Sequence, residues 1–152
     1  MRLLIQRVSQ ASVTVGQKIV GEIGKGFLVL CGFKKDDSPD LIGKLTEKCL
    51  NLRVFEDNQG KMNLSLLDIS GELLVISQFT LYANCRKGRR PSFDNSMPPQ
   101  QADVLYKLLI KEFQKSGLKT ATGVFGAKMD ISLNNDGPVT IMLDDDELFQ
   151  SK

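Results

Sequence analysis

The sequence predicts an α+β fold: a curled or barrel-like, mainly antiparallel β-sheet with two helices packed on one side. Three observations carry this. Most apolar segments are short, alternate or run unbroken, and end at Gly, Asn or Asp. The apolar spacing shifts to threes and fours only twice. Most strand-like segments are joined by links that suit hairpins.

Residues 3–8 read as a first strand. Residues 11–15 alternate Val13 and Val15 with Ser12 and Thr14 and read as a second. Gly16-Gln17 is a turn, and residues 18–23 return as its hairpin partner. The continuous run Phe27-Leu28-Val29-Leu30-Cys31-Gly32-Phe33 fits a central strand covered on both faces. Ser38-Pro39-Asp40 then opens a helix, with Ser as cap, Pro at the first position and an acid in the first turn. Leu41, Leu45, Cys49 and Leu52 form its apolar stripe, and it ends near Asn51.

Val54-Phe55 begins a short strand, and Asp57-Asn58-Gln59-Gly60 is a turn. Residues 62–69 fit neither period. Residues 72–77 are an apolar strand, followed by a loop from Ala83 to Met97. Pro98-Pro99 opens the second helix, with Ala102, Leu105, Leu109 and Phe113 on its buried stripe and Ser116-Gly117 at its end. Residues 120–125 and 129–133 read as strands. Asn134-Asn135-Asp136-Gly137 carries a strong hairpin-turn signal, and residues 138–143 form a last strand with Pro138 at its first position. About eight or nine strands are expected in all.

A length of 152 residues fits one domain, residues 1–152, with a polar tail from about residue 145 that is expected to fray. The segment Met1 to Arg7 is too soon interrupted by charge for a signal peptide, and no apolar run approaches the roughly 18–20 residues of a membrane span. A cytoplasmic location and no membrane partner are expected. Three widely spaced cysteines, Cys31, Cys49 and Cys85, argue against a disulfide framework or a cysteine-based metal site. No metal or cofactor is expected.

There is no histidine. This excludes a Ser-His or Cys-His nucleophile, a His-ligated zinc and a His general base. The net charge of +2 implies no polyanion partner by itself, but Arg86, Lys87, Arg89 and Arg90 are nearly contiguous. They read as a phosphate-binding patch or as a solvated segment, and Asp144, Asp145, Asp146 and Glu147 read as a solvated acidic one.

Ser77-Gln78-Phe79-Thr80-Leu81 lies where a buried strand runs into that basic loop. Its hydroxyls, amide and backbone N–H groups sit at a strand end, a common place for a site; the plain alternative is a polar strand terminus. Together with Asn135-Asp136-Gly137-Pro138-Val139-Thr140 it resembles the paired signature of the D-aminoacyl-tRNA deacylases. The likeness continues through Met1-Arg2-Leu3-Leu4-Ile5-Gln6-Arg7-Val8, Gly88-Arg89-Arg90-Pro91-Ser92-Phe93 and Gly123-Val124-Phe125-Gly126-Ala127-Lys128-Met129.

The resemblance implies a homodimer that hydrolyses the ester between a D-amino acid and the 3′ end of tRNA, and the glycine ester as well. It implies that Ser77, Gln78, Phe79 and Thr80 line the pocket. Gly137-Pro138 then enters from the partner subunit with a cis peptide bond, as a backbone filter against L-substrates. The N–H groups of Phe79 and Thr80 are candidate oxyanion donors. With no histidine, Thr80 lacks an evident base, and the terminal 2′-hydroxyl of the RNA is the favoured assistant. Phe125 and Met129 pack against the terminal adenine, shape the pocket or sit in the core, and Ala102 faces the pocket or the core. Arg86, Lys87, Arg89 and Arg90 fit acceptor-stem phosphates. The alternatives are a catalytically inactive tRNA-binding module and a structural β-rich dimer, which leaves the basic loop unexplained.

Overall fold

The spine of the sheet is one long strand, β1 (Arg2–Val15), seen in a computed structural model that describes residues 1–149. Two strands were expected here; the chain instead runs straight through Ser9 and Gln10. β8 (Asp130–Asp144) lies antiparallel along one edge of β1. On the other edge Arg2 to Val8 pair with β3 (Gly26–Gly32), and Ala11 to Val15 pair with β2 (Lys18–Ile23). Register shifts against β8 at Val8 change the side that inward residues face. Leu3 and Ile5 enter one core, whereas Val8, Ala11 and Val13 enter a second.

β3 pairs in parallel with β6 (Glu72–Ser77), and β6 pairs in parallel with β7 (Thr120–Thr122). The sheet is therefore mixed. The antiparallel pairings expected from hairpins are present, and each parallel pair is spanned by a helix: α1 (Ile42–Leu50) between β3 and β6, α2 (Pro99–Gln114) between β6 and β7. This explains the unbroken apolar runs of β3 and β6. Phe27, Val29, Cys31, Leu73 and Val75 pack with α1 and α2, while Leu28, Leu74 and Ile76 pack with the curled half of the sheet. Each such side chain stabilises the fold by about 1.5–3 kcal/mol relative to exposure. The curl nearly closes at Gly21, where an added Cβ would stand 2.6 Å from the Thr122 carbonyl oxygen.

Both helix starts are where the sequence places them. Ser38 Oγ accepts from the Asp40 N–H at 3.2 Å, although residues Pro39–Leu41 form a 3-10 turn before α1. Ile42, Leu45 and Cys49 are its buried stripe; Leu41 and Leu52 lie at its margin. α2 buries Ala102, Leu105, Leu109 and Phe113 as expected. β4 (Phe55–Glu56) and β5 (Met62–Leu64) form a small separate hairpin, which resolves part of the ambiguous stretch.

Three further expectations are corrected. The chain makes no hairpin turn at residues 134–137, and Pro138 is not the start of a strand. β8 runs through, with Val8 opposite Asn135 and Gln6 opposite Thr140, so residues 136–139 stand out as an excursion. Asn135 replaces the lost strand pairing: its Oδ1 accepts from the Val139 N–H at 2.8 Å, and its Nδ2 donates to the Val139 carbonyl at 3.3 Å. Next, β7 stops at Thr122 rather than Phe125. A side chain at Gly123 would lie 2.5 Å from Met129 Sδ, and Gly126 (φ 76°) turns the chain back. Finally, the acidic tail does not fray over the described residues. It forms α3 (Asp145–Phe149), and Asp145 is buried against the Met1 ammonium (2.7 Å) and Lys34 Nζ (3.1 Å). Asp144 is also buried and accepts from Arg2 Nε at 2.7 Å. Residues 150–152 lie outside the described residues.

Candidate active site

At the C-terminal ends of the parallel pair β3 and β6, a cavity of about 530 Å³ opens between the sheet, the start of α2 and the turn after β7. Ser77, Gln78 and Phe79 form one wall, Phe125 and Met129 another, and Pro98, Pro99 and Ala102 a third. Ala102 is thus both a core residue and a pocket residue. Cys31 lies at the floor, fully buried, with its thiol donating to the Ile76 carbonyl at 3.4 Å. Burial pushes that thiol far up, so it stays protonated. No other lining residue carries a group that titrates near neutral pH.

The wall built from the first motif is a 3-10 turn, Phe79–Tyr82. A strand cannot continue here. Gln78 N–H still pairs with the Cys31 carbonyl at 2.7 Å, but its own carbonyl accepts from Leu81 N–H at 3.3 Å. The N–H groups of Phe79 and Thr80 open the turn, and among the described residues neither has a hydrogen-bond partner. Gln78 Nε2 donates to Thr80 Oγ1. The Thr80 side chain is exposed and does not line the cavity.

Sequence reasoning missed several contributors. Ser96 lines the cavity and donates from Oγ to the Phe79 carbonyl at 3.1 Å. Phe93 packs edge-on against Phe79, ring centroids 5.0 Å apart, and both rings are exposed. Their place in the long loop, and for Phe93 its place in the 88–93 segment of the family likeness, hinted at a role. That loop is clasped at its base by reciprocal bonds between Asn84 and Ser92, at 2.8 and 2.9 Å. It turns over at Gly88 (φ 67°) and holds Arg86, Lys87, Arg89 and Arg90 in solvent. Among the described residues these four make no ion pair.

Gly137-Pro138 is elsewhere. Its peptide bond is cis, both residues are exposed, and neither lines this cavity. The excursion is gripped from below by Arg7, a buried residue. Arg7 Nε donates to the Asp136 carbonyl at 2.8 Å and one terminal nitrogen to the Val54 carbonyl at 2.6 Å. A charged residue in phase with inward-facing Leu3 and Ile5 was the sequence signal for it.

The family model described as D-Tyr-tRNA(Tyr) deacylase matches residues 4–144. This chain belongs to that family. As a family member it is a hydrolase of ester bonds. A D-aminoacyl-tRNA deacylase of Thermosipho africanus is 56% identical over 149 residues, 98% of this chain and all of that one. The deacylase of Clostridioides difficile is 52% identical with the same coverage. A solved structure described as a c-Myc DNA unwinding element binding protein superimposes with a TM-score of 0.89 at 41% identity, covering 95% of this chain and 98% of its own. A probable eukaryotic D-amino acid tRNA deacylase, at 18% identity and a TM-score of 0.82, shares the fold. Among the described residues of this deacylase-family chain, no helix is long and apolar enough to cross a membrane.

Proposed function

We propose that this chain hydrolyses the ester joining a D-amino acid to the 3′ end of tRNA in the cytoplasm, and the ester of mischarged glycyl-tRNA. One observation carries the mechanism: the turn beside the cavity leaves the N–H groups of Phe79 and Thr80 without partners among the described residues, and no side chain lining the cavity is able to act as a base. Ester hydrolysis needs donors for the developing oxyanion and an activated water. The N–H groups of Phe79 and Thr80 supply the donors, and removing one such donor typically costs about 2.7–4 kcal/mol of barrier. Gln78 and Ser77 shape that wall, and Thr80 positions through its bond from Gln78. Proton transfer comes from the substrate: the 2′-hydroxyl of the terminal ribose takes the proton of the attacking water as it passes its own to the 3′-oxygen, and the acyl C–O bond breaks to give the free D-amino acid and the 3′-hydroxyl of the tRNA. Positioning of an already activated ester supplies the remaining rate.

In this reading the enzyme is a homodimer with its site at the subunit interface. The exposed excursion carrying Gly137 and Pro138 enters the partner's cavity and filters by hand with main chain, rejecting L-esters by clash. Phe125 and Met129 contact the substrate, while Arg86, Lys87, Arg89 and Arg90 bind acceptor-stem phosphates without reading sequence.

The test is incubation with D-tyrosyl-tRNA and L-tyrosyl-tRNA. Loss of the D-ester alone is expected. Binding without loss of either ester leaves a catalytically inactive tRNA-binding module with this fold. A D-tyrosyl-tRNA ending in 2′-deoxyadenosine should be hydrolysed poorly, and full activity on it defeats the substrate-assisted step.

A further inference from the structure

The turn that walls the cavity is held from behind by a residue that does not line it. Arg2 sits at the start of β1, between Gly32 on β3 and Asp144 on β8. One terminal guanidinium nitrogen donates to the Leu81 carbonyl at 2.8 Å, inside the Phe79–Tyr82 turn. Its Nε donates to Asp144 at 2.7 Å, and its Cζ lies 4.6 Å from the centre of the Tyr82 ring. Asp144 is continuous with the buried knot of Asp145, the Met1 ammonium and Lys34. The cross-strand neighbour Gly32 presses on the same turn: a Cβ there would fall 2.8 Å from the Gln78 carbonyl oxygen and 3.1 Å from Leu81 Cβ.

We infer that Arg2 is a positioning residue for the reaction. Its planar fork ties the turn's C-terminal carbonyl to the acidic end of β8 and so fixes the direction of the Phe79 and Thr80 N–H groups. A 3-10 turn of four residues has few internal bonds, so its orientation is set by what grips its ends. Gln78 N–H grips one end through Cys31, and Arg2 grips the other. Donors that stabilise an oxyanion must be preorganised, and a shift of about 1 Å can cost about 100-fold in rate. The inference rests on the proposed oxyanion role of the turn.

The test compares Arg2→Met, which keeps an apolar stem over Tyr82, with Asp144→Asn, which removes the ion pair, keeps one oxygen as acceptor for Arg2 Nε and gives up the bond that Asp144 Oδ1 accepts from the Asp146 N–H. Both lower the thermal midpoint. Arg2→Met is expected to lower kcat on D-tyrosyl-tRNA by roughly 10- to 100-fold with KM little changed, while Asp144→Asn stays within about 3-fold of wild type. If Arg2→Met does not fold, Arg2→Lys serves: it keeps a charge for Asp144 but lacks the fork, and it should lose kcat in the same way. Wild-type kcat in a folded Arg2 variant, or losses that track the thermal midpoint equally in the Arg2 and Asp144 variants, overturns the inference. An inactive wild-type protein in the same assay instead removes the reading on which it rests.

Discussion

The Phe79–Tyr82 turn and the excursion at residues 136–139 are both short interruptions of regular strands, and both present backbone. They differ in what surrounds them. The turn walls a cavity and is gripped on several sides: by Cys31 through Gln78, by Ser96 at the Phe79 carbonyl, and by Arg2 at the Leu81 carbonyl. The excursion faces solvent, lines no part of that cavity, and depends on two side chains, Arg7 below and Asn135 beside. One is a pocket wall with distributed support. The other is a rigid projection with concentrated support. Single substitutions should therefore cost the projection more stability than the wall.

Arg7→Met should have the largest effect. It leaves the Val54 carbonyl without its donor and frees the Asp136 carbonyl. The expected cost is about 2–4 kcal/mol, read as a lower urea midpoint at unchanged m. In the folded variant, hydrolysis of L-tyrosyl-tRNA should rise relative to the D-ester. Unchanged discrimination would separate the projection from chirality altogether. Gly137→Ala comes next. Gly137 has φ 144°, and its Cβ would lie 2.8 Å from the Val139 backbone nitrogen. A destabilisation of about 1–3 kcal/mol is expected, with the same leak of L-ester hydrolysis.

The two regions were not equally legible in the sequence. The turn was readable because a buried strand met a polar motif and a basic loop, and local periodicity reports such a junction. The excursion was misread as a hairpin. Asn-Asn-Asp-Gly satisfies local turn chemistry, and only Arg7 and the flanking pairing with β1, both distant in sequence, keep β8 continuous. The same limit applies elsewhere. The crossings that make β3, β6 and β7 parallel, and the burial of Asp144 and Asp145 beside Arg2, Met1 and Lys34, depend on partners far along the chain. Ser38, Gly117 and the α2 stripe were legible because caps and helical spacing are local.

Acid should loosen the wall before the projection. Burial alone would raise the Asp145 carboxyl, but the Met1 ammonium and Lys34 outweigh it and hold the group below its usual range. A depressed carboxylate contributes stability above its unfolded value, about 3.9, and loses it as pH falls through the folded value. The thermal midpoint should therefore hold from pH 7 down to about 4 and fall below that. Asp145→Asn should flatten this acid limb. Arg7 holds the excursion mainly through two main-chain carbonyls, which do not titrate, with the half-exposed Asp136 carboxylate 3.6 Å from its Nε as a weaker, solvent-screened addition. A midpoint independent of pH down to 3 would contradict the assignment.

Replacing Arg86, Lys87, Arg89 and Arg90 together by Gln should leave stability and kcat nearly unchanged. The side chains are exposed on a loop clasped by Asn84 and Ser92, and that clasp uses backbone atoms alone. KM for aminoacyl-tRNA should rise, and the slope of log affinity against log salt should shrink by about 0.9 for each phosphate no longer neutralised. The same loop carries Phe93 to the cavity, so a salt effect here puts the body of the RNA on the turn's side of the molecule. An unchanged slope would move the RNA to another face.

The smallest effect belongs to Thr80→Ala. The hydroxyl is exposed and off the cavity wall, and it receives only the bond from Gln78. The backbone N–H at position 80 survives the substitution, so an oxyanion cradle made of main chain should survive too. The variant should keep kcat within about 10-fold of wild type, with no change in handedness. A Thr80→Ala protein that folds, binds D-tyrosyl-tRNA and is inactive would make the hydroxyl a nucleophile or the sole anchor of the attacking water. The wall would then act through a side chain, and the likeness between the two backbone elements would end there.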